Sequence, residues 1–280
     1  MKKQSSSAFL RLAFATAVCS AVPLLASAGP ALEECADHSL SAGQTAAACR
    51  RALAQEQMTD ANRVGANLNL GEALITLGQP SLAVDAFDAA AALDPSRPEI
   101  YIGKARAHEA RRDNRLSALN WARALAAAPN SLDVRLGRGA FYLRAGNAPQ
   151  ALQEFNAALV ISAEEPDPDA LYNRGLTLIA LDMMPEAERD FSRLLVDYPN
   201  DAAAYYHRGR ARVGRDAEGA ISDFDKANTL SPEWADPWFA AGRMLDEAGN
   251  TAEANRRLRR AFELGFSDPW LLDRIQSLGG

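Results

Sequence analysis

The chain has 280 residues, 48% of them apolar and only 7% aromatic, and 36 acidic side chains against 30 basic ones give a formal charge of −6. That balance excludes a nucleic-acid or anionic-membrane binder, because both need a basic footprint. No Gly-rich phosphate loop, HExxH, CxxC or nucleophile elbow occurs, so no catalytic residue, cofactor or metal site is expected.

Residues 1–28 read as an export leader. Lys2, Lys3 and Arg11 form a basic start, and Leu12 to Leu25 is an apolar run. The run is shorter than the roughly 20 residues that a comfortable membrane span needs. Ala26-Ser27-Ala28 supplies the small residues of a cleavage site, with the cut expected after Ala28. An uncleaved anchor is disfavoured by that length and by Pro23, and a lipid anchor on Cys19 by Val18. Cleavage leaves 27 basic against 36 acidic side chains, a net −9, in a chain that is periplasmic or secreted and not inserted in the membrane.

Residues 29–58 read as a helical hairpin broken at Ser41-Ala42-Gly43, with Ser41 and Gln44 spaced for a capping box on its second helix. Cys35 and Cys49 lie seven residues either side of Ala42, level with each other in an antiparallel pair. An oxidising compartment then favours a structural disulfide over a free or redox pair. A zinc site built from Cys35, His38 and Cys49 is one ligand short of closed.

From residue 59 to 266 one pattern recurs six times. A small residue (Gly71, Ala105, Gly139, Gly175, Gly209, Gly242) is followed by a small–large pair four residues apart. The pairs are Ala83/Phe87, Ser117/Trp121, Ala151/Phe155, Ala187/Phe191, Ala220/Phe224 and Ala254/Leu258. Pro95, Pro129, Pro199 and Pro232 end four of the units, while Ala163 and Phe266 end the other two less sharply. The small residues are 34, 34, 36, 34 and 33 positions apart, a period that signals a repeat architecture. Residues 267–280 hold a last helix, since "DPWLLDRIQS" echoes the "DPWFAAGRML" of the sixth unit. The three histidines fall in three different units, which argues further against a catalytic or metal cluster.

This pattern resembles the tetratricopeptide-repeat family over about residues 59 to 266. The resemblance implies an all-α fold, a right-handed superhelical solenoid of antiparallel helix pairs, with 29–58 and 267–280 as its end caps. Small residues let the two helices of a pair approach, and the aromatic fills the wedge between that pair and the next.

A wheel drawn on the first helix of each unit places offsets −3, −2, +1, +4 and +5 from the small residue on one stripe turned away from the core. The resemblance identifies that stripe as a concave, peptide-holding face. Its polar and aromatic members are Asn69 and Glu72, Arg106 and Glu109, Arg144, Tyr172 and Asn173, Tyr206, His207 and Arg210, and Phe239 and Arg243. The aromatics among them either bind a ligand or pack on the neighbouring unit. Asn69, Asn173 and Arg210 loosely resemble a terminal-carboxylate clamp of some relatives, but its lysines are missing. In "RGRARVGR" (208–215) only Arg210 falls on the stripe; Arg208 and Arg212 share the core-side face and run along it toward acids. The expected function is non-catalytic: an adaptor holding a peptide or helix of a cell-envelope protein. Self-association as a homo-oligomer and a glycan or small-ligand receptor are the alternatives.

Overall fold

A computed structural model describes residues 29–55 and 57–277, so the expected leader and its cleavage point lie outside the described residues. Among the described residues the regular structure is entirely helical. The chain divides into two compact units between Ala145 and Gly146, inside the third of the six expected repeats.

The first unit holds α1 (Pro30–Cys35), α2 (Ala42–Leu53), α3 (Asp60–Thr76), α4 (Pro80–Leu93), α5 (Pro98–Ala110), α6 (Asn114–Ala127) and α7 (Leu132–Arg144). The second holds α8 (Ala148–Ile161), α9 (Pro168–Ala180), α10 (Met184–Asp197) and α11 (Ala202–Arg212). It continues with α12 (Ala217–Leu230), α13 (Ala235–Glu247), α14 (Thr251–Glu263) and α15 (Pro269–Ser277). In the first unit α4 packs against both α3 and α5, and α6 against α5 and α7. In the second, α10 packs against α9 and α11, and α12 against α11 and α13. A second helix wedged between two first helices is the motif common to both.

Local chemistry sets the boundaries. The turn inside each repeat passes through a positive-φ residue: Gly78, Arg112, Gly146, Asp182, Gly214 and Gly249. In four of these turns the next residue's N–H closes the helix on the carbonyl five back, as Gln79 does on Leu74 at 2.9 Å and Met183 on Leu178 at 2.8 Å. Arg112 and Asp182 take a conformation that glycine holds at lower cost. Between repeats, Asp94, Ala128, Tyr198 and Ser231 leave the helical region just before a proline. The position four before the small residue then reaches back to the proline carbonyl, through Tyr101 Oη to Pro95 at 2.8 Å and Trp238 Nε1 to Pro232 at 3.1 Å. Pro168 opens α9 directly after the acidic stretch 164–167, where Asp167 caps the helix by accepting from Ala170 N at 2.8 Å.

The small residues and aromatics meet as the pattern requires. A Cβ built on Gly71, Gly175, Gly209 or Gly242 would lie 2.5 to 2.9 Å from Phe87, Phe191, Phe224 or Leu258 of the same repeat. All four large side chains are fully buried. A methyl group at any of these positions would push the paired helices apart.

At the N-terminal end the α1–α2 hairpin packs on α3. Ser41 and Gln44 form the capping box. Cys35 and Cys49, both buried, are joined Sγ to Sγ at 2.04 Å. At the other end α15 lies on α14, with Leu271 fully buried and Arg274 forked onto Asp246 of α13 at 2.8 and 3.3 Å.

Candidate functional site

The stripe of twelve residues divides once its surroundings are known. Offsets −3 and −2 are largely interior. Tyr172 is 4% exposed, Asn173 1% and His207 7%, so these three are corrections to the expected binding face. The reason is geometric. The first helices α5, α9, α11 and α13 are each covered by their own second helix and also by that of the preceding repeat, so their buried arc is wider than a wheel with a single core direction allows. At offset −2, Gly103 faces Phe87 and Gly137 faces Trp121 across the repeat boundary. His207, at the same offset, stacks on Phe191 with centroids 5.6 Å apart and planes 22° apart. Tyr172 stands edge-on to both Phe191 and His207 at 5.8 and 5.6 Å. Asn173 spends its amide N–H on Asp169 O at 2.9 Å.

Burial has an electrostatic consequence at His207. Desolvation, with the Arg210 guanidinium adding to it, pushes the imidazole down to about 3 and keeps it neutral. A neutral ring is also what stacks on Phe191 and meets Tyr206 edge-on.

Asn69 is committed elsewhere. Its Nδ2 donates to Cys35 O at 3.1 Å, which ties the N-terminal hairpin to α3. The charged members of the first unit are paired with each other. Glu72 accepts from Arg106 Nη1 at 2.6 Å. Burial raises the Glu72 carboxyl above its ordinary range, against the pull of Arg106. Glu109 takes Arg144 on one oxygen and Trp121 Nε1, at 2.9 Å, on the other. These pairs link α3 to α5 and α5 to α7 across successive repeats.

The second unit differs. Arg210 and Arg243, both at offset +1, are exposed. Arg210 lies over the Tyr206 ring at 5.9 Å and within 3.4 Å of His207 Nδ1, and among the described residues no carboxylate pairs with it. Arg243 lies over Trp270 at 5.7 Å and meets only the exposed Glu247, one turn along its own helix. Tyr206, beneath Arg210, is half-buried and braced against Trp234 at 4.7 Å. Trp270, beneath Arg243, is exposed and stands edge-on to Phe239 at 6.0 Å, which is half-buried and stacked on Phe266 at 4.3 Å. Trp234 was not among the expected site residues, because it precedes α13 and so falls outside any wheel drawn on that helix. The nearby acids are engaged, Asp236 by Trp234 Nε1 at 2.8 Å and Asp246 by Arg274.

Among the described residues no group of three His, Cys, Asp or Glu could hold a metal ion, and no helix is long and apolar enough to cross a membrane. What the stripe exposes in the second unit is a pair of guanidinium forks, each set on an aromatic ring. Such forks bind carboxylates and similar planar anions; they carry out no bond-making chemistry of their own.

Comparison with known proteins agrees with this architecture. Family models described as tetratricopeptide repeat match residues 64–107, 102–170 and 169–201. The human mitochondrial import receptor subunit TOM70 is 33% identical over 136 residues, which is 45% of this chain and 22% of that receptor. The chain therefore spans about a fifth of the receptor's length. Among solved structures, YrrB, described as a tetratricopeptide protein with an unusual peptide-binding site, superposes with a TM-score of 0.58 at 20% identity. That match covers 69% of this chain and 99% of YrrB. PilW, described as a widely conserved type IV pilus biogenesis factor, gives 0.65 at 17% identity, covering 76% of this chain and 98% of PilW. At those identities the likeness is one of fold. Arrays of this kind are typically non-catalytic scaffolds for protein interaction. By its repeat spacing, its wedge packing and these matches, the chain belongs to the tetratricopeptide-repeat family.

Proposed function

We propose that this chain is a non-catalytic adaptor of the bacterial periplasm, which holds a peptide or helix of a cell-envelope protein on its first-helix surface. The observation that carries the reading is the pair of exposed guanidiniums, Arg210 and Arg243, each lying over an aromatic ring in the second unit. Aromatic and arginine side chains are the types that anchor interfaces. The periplasmic assignment rests on the leader-like residues 1–28 and on the even cysteine pair that would follow its removal. TOM70 is named as an import receptor and YrrB as a peptide-binding protein, which favours a polypeptide ligand over a metabolite.

The test is affinity capture from a periplasmic extract, with bound proteins identified by mass spectrometry. Tyr206→Ala combined with Arg243→Ala should lose the captured partners while circular dichroism still reports a folded helical chain. Unchanged capture by a folded double variant would remove this surface from the function.

A further inference from the structure

The two units treat the same stripe of the first helices in opposite ways. In the first unit each arginine on it is already held by an acid of a neighbouring repeat, Arg106 by Glu72 at 2.6 Å and Arg144 by Glu109. A ligand carboxylate would have to displace a partly buried protein carboxylate to reach either one. In the second unit the stripe carries Arg210 and Arg243, both at offset +1 and both exposed. The acids around them are committed to Trp234 and Arg274, apart from the solvent-exposed Glu247.

From this asymmetry we infer that the ligand surface is confined to the second unit, on Arg210 and Arg243 with the Tyr206–Trp234 and Phe239–Trp270 rings, and that its occupant is an acidic peptide segment. The inference rests on the adaptor reading and adds the location and the charge of what is bound. A guanidinium lying over an aromatic ring can still present its N–H edge. Among the described residues no carboxylate takes that of Arg210. Arg243 gives only its Nε–H, to the exposed Glu247 at 3.1 Å, which leaves its Nη groups to a ligand carboxylate. The chain as a whole is acidic, at −6, so long-range attraction does not draw such a ligand in. Recognition must be local, within a Debye length of about 8 Å at physiological salt.

The probes are fluorescein-labelled hexaglutamate, hexalysine and a Gly-Ser hexapeptide, titrated by anisotropy with the whole exported chain. Hexaglutamate should bind, and the other two should not. Arg210→Gln with Arg243→Gln should weaken it about tenfold or more, the size expected when charged contacts at an interface are lost. Arg256→Gln, the same change at an exposed arginine of α14, should leave it unaltered. Equal binding of the three peptides, an unaffected Arg210/Arg243 double variant, or an equal loss in Arg256→Gln would each overturn the assignment. Circular dichroism of every variant keeps misfolding from imitating a loss. If the chain captures envelope proteins yet ignores hexaglutamate, the acidic ligand falls and the adaptor reading stands. If it binds hexaglutamate through the two arginines yet captures nothing, the adaptor reading falls and the site stands.

Discussion

Arg208 of α11 and Asp223 of α12 form a two-pronged pair, Nε to Oδ2 at 2.9 Å and Nη2 to Oδ1 at 2.6 Å, on the face of α11 turned away from Arg210. The preceding repeat repeats the arrangement with Arg174 and Asp190, at 2.8 and 2.7 Å. In both cases the arginine precedes the glycine of the first helix, and the aspartate precedes the aromatic of the second. The charged pair therefore fixes the register in which Phe224 meets Gly209 and Phe191 meets Gly175. Asp223 is almost fully buried and also accepts from Arg212 Nη1 at 3.0 Å.

Removing that carboxylate leaves Arg208 without its carboxylate partner, while Arg212 keeps Glu188 at 2.8 Å. Asp223→Asn should cost about 3–5 kcal/mol, the range for breaking a buried pair from one side. Arg208→Met made together with Asp223→Leu should recover much of it, because the desolvation cost goes with the charges. Urea unfolding followed by circular dichroism gives both numbers. A single variant as stable as the parent would show that the pair contributes nothing.

Phe87 is gripped from two sides. A Cβ on Gly71 would sit 2.5 Å from its ring, and one on Gly103, in the next repeat, 2.3 Å. The ring is fully buried and has no free side to swing toward. Gly103→Ala should therefore destabilise by about 1–3 kcal/mol through overpacking, despite the better helix propensity of alanine. Gly65→Ala is the control, since a Cβ there meets nothing within 4 Å and should be neutral or stabilising. Thermal melts should fall for Gly103→Ala and hold or rise for Gly65→Ala.

The wedge could be read from the chain because a close helix pair needs a small residue, and the gap beside it needs a large one. Both recur at fixed spacing in the sequence. The buried arc of the first helix was harder to see. Gly103, Gly137, Asn173 and His207 share offset −2, and nothing local says that this offset faces the aromatic of the previous repeat. A wheel counts one packing partner, whereas a stacked repeat has more. The core-side course of Arg208 and Arg212 followed from their spacing, but the acid that receives them did not, because Asp223 comes from another helix. Arg210 and Arg243 could be placed at the surface because offset +1 lies far from either packing direction.

Cys35 and Cys49 close the N-terminal hairpin over a sequence separation of 14. The backbone carbonyl of Cys35 also receives the Asn69 amide of α3, so the bridge and the docking of the hairpin are mechanically joined. Replacing both cysteines with alanine should lower stability by about 3 kcal/mol on the chain-entropy account. Thiol titration of the denatured chain, purified without reductant, should find no reactive thiol from this pair. Two free thiols there would leave the hairpin held by packing alone.

His207 makes stability depend on pH in a defined direction. Its folded pKa is held down to about 3 from an ordinary 6.5, so the unfolded chain binds the proton more readily than the folded one. The stabilisation is thus fully present above about pH 6.5 and is lost as pH falls from there toward 3. Between pH 7 and 5 this one group should remove about 2 kcal/mol. The groups facing it are Arg210 on its own helix, the Tyr172 and Tyr206 rings and Phe191; none is a carboxylate that would welcome the proton. His207→Asn copies what the preceding repeat carries at this offset, Asn173, and should flatten the pH dependence by that amount whatever it does to stability at pH 7. His108, lowered by burial with Arg111 adding to it, contributes in the same direction but remains in both proteins, so the difference isolates His207. Parallel curves for parent and variant between pH 7 and 5 would mean that His207 takes up its proton without opening the repeat.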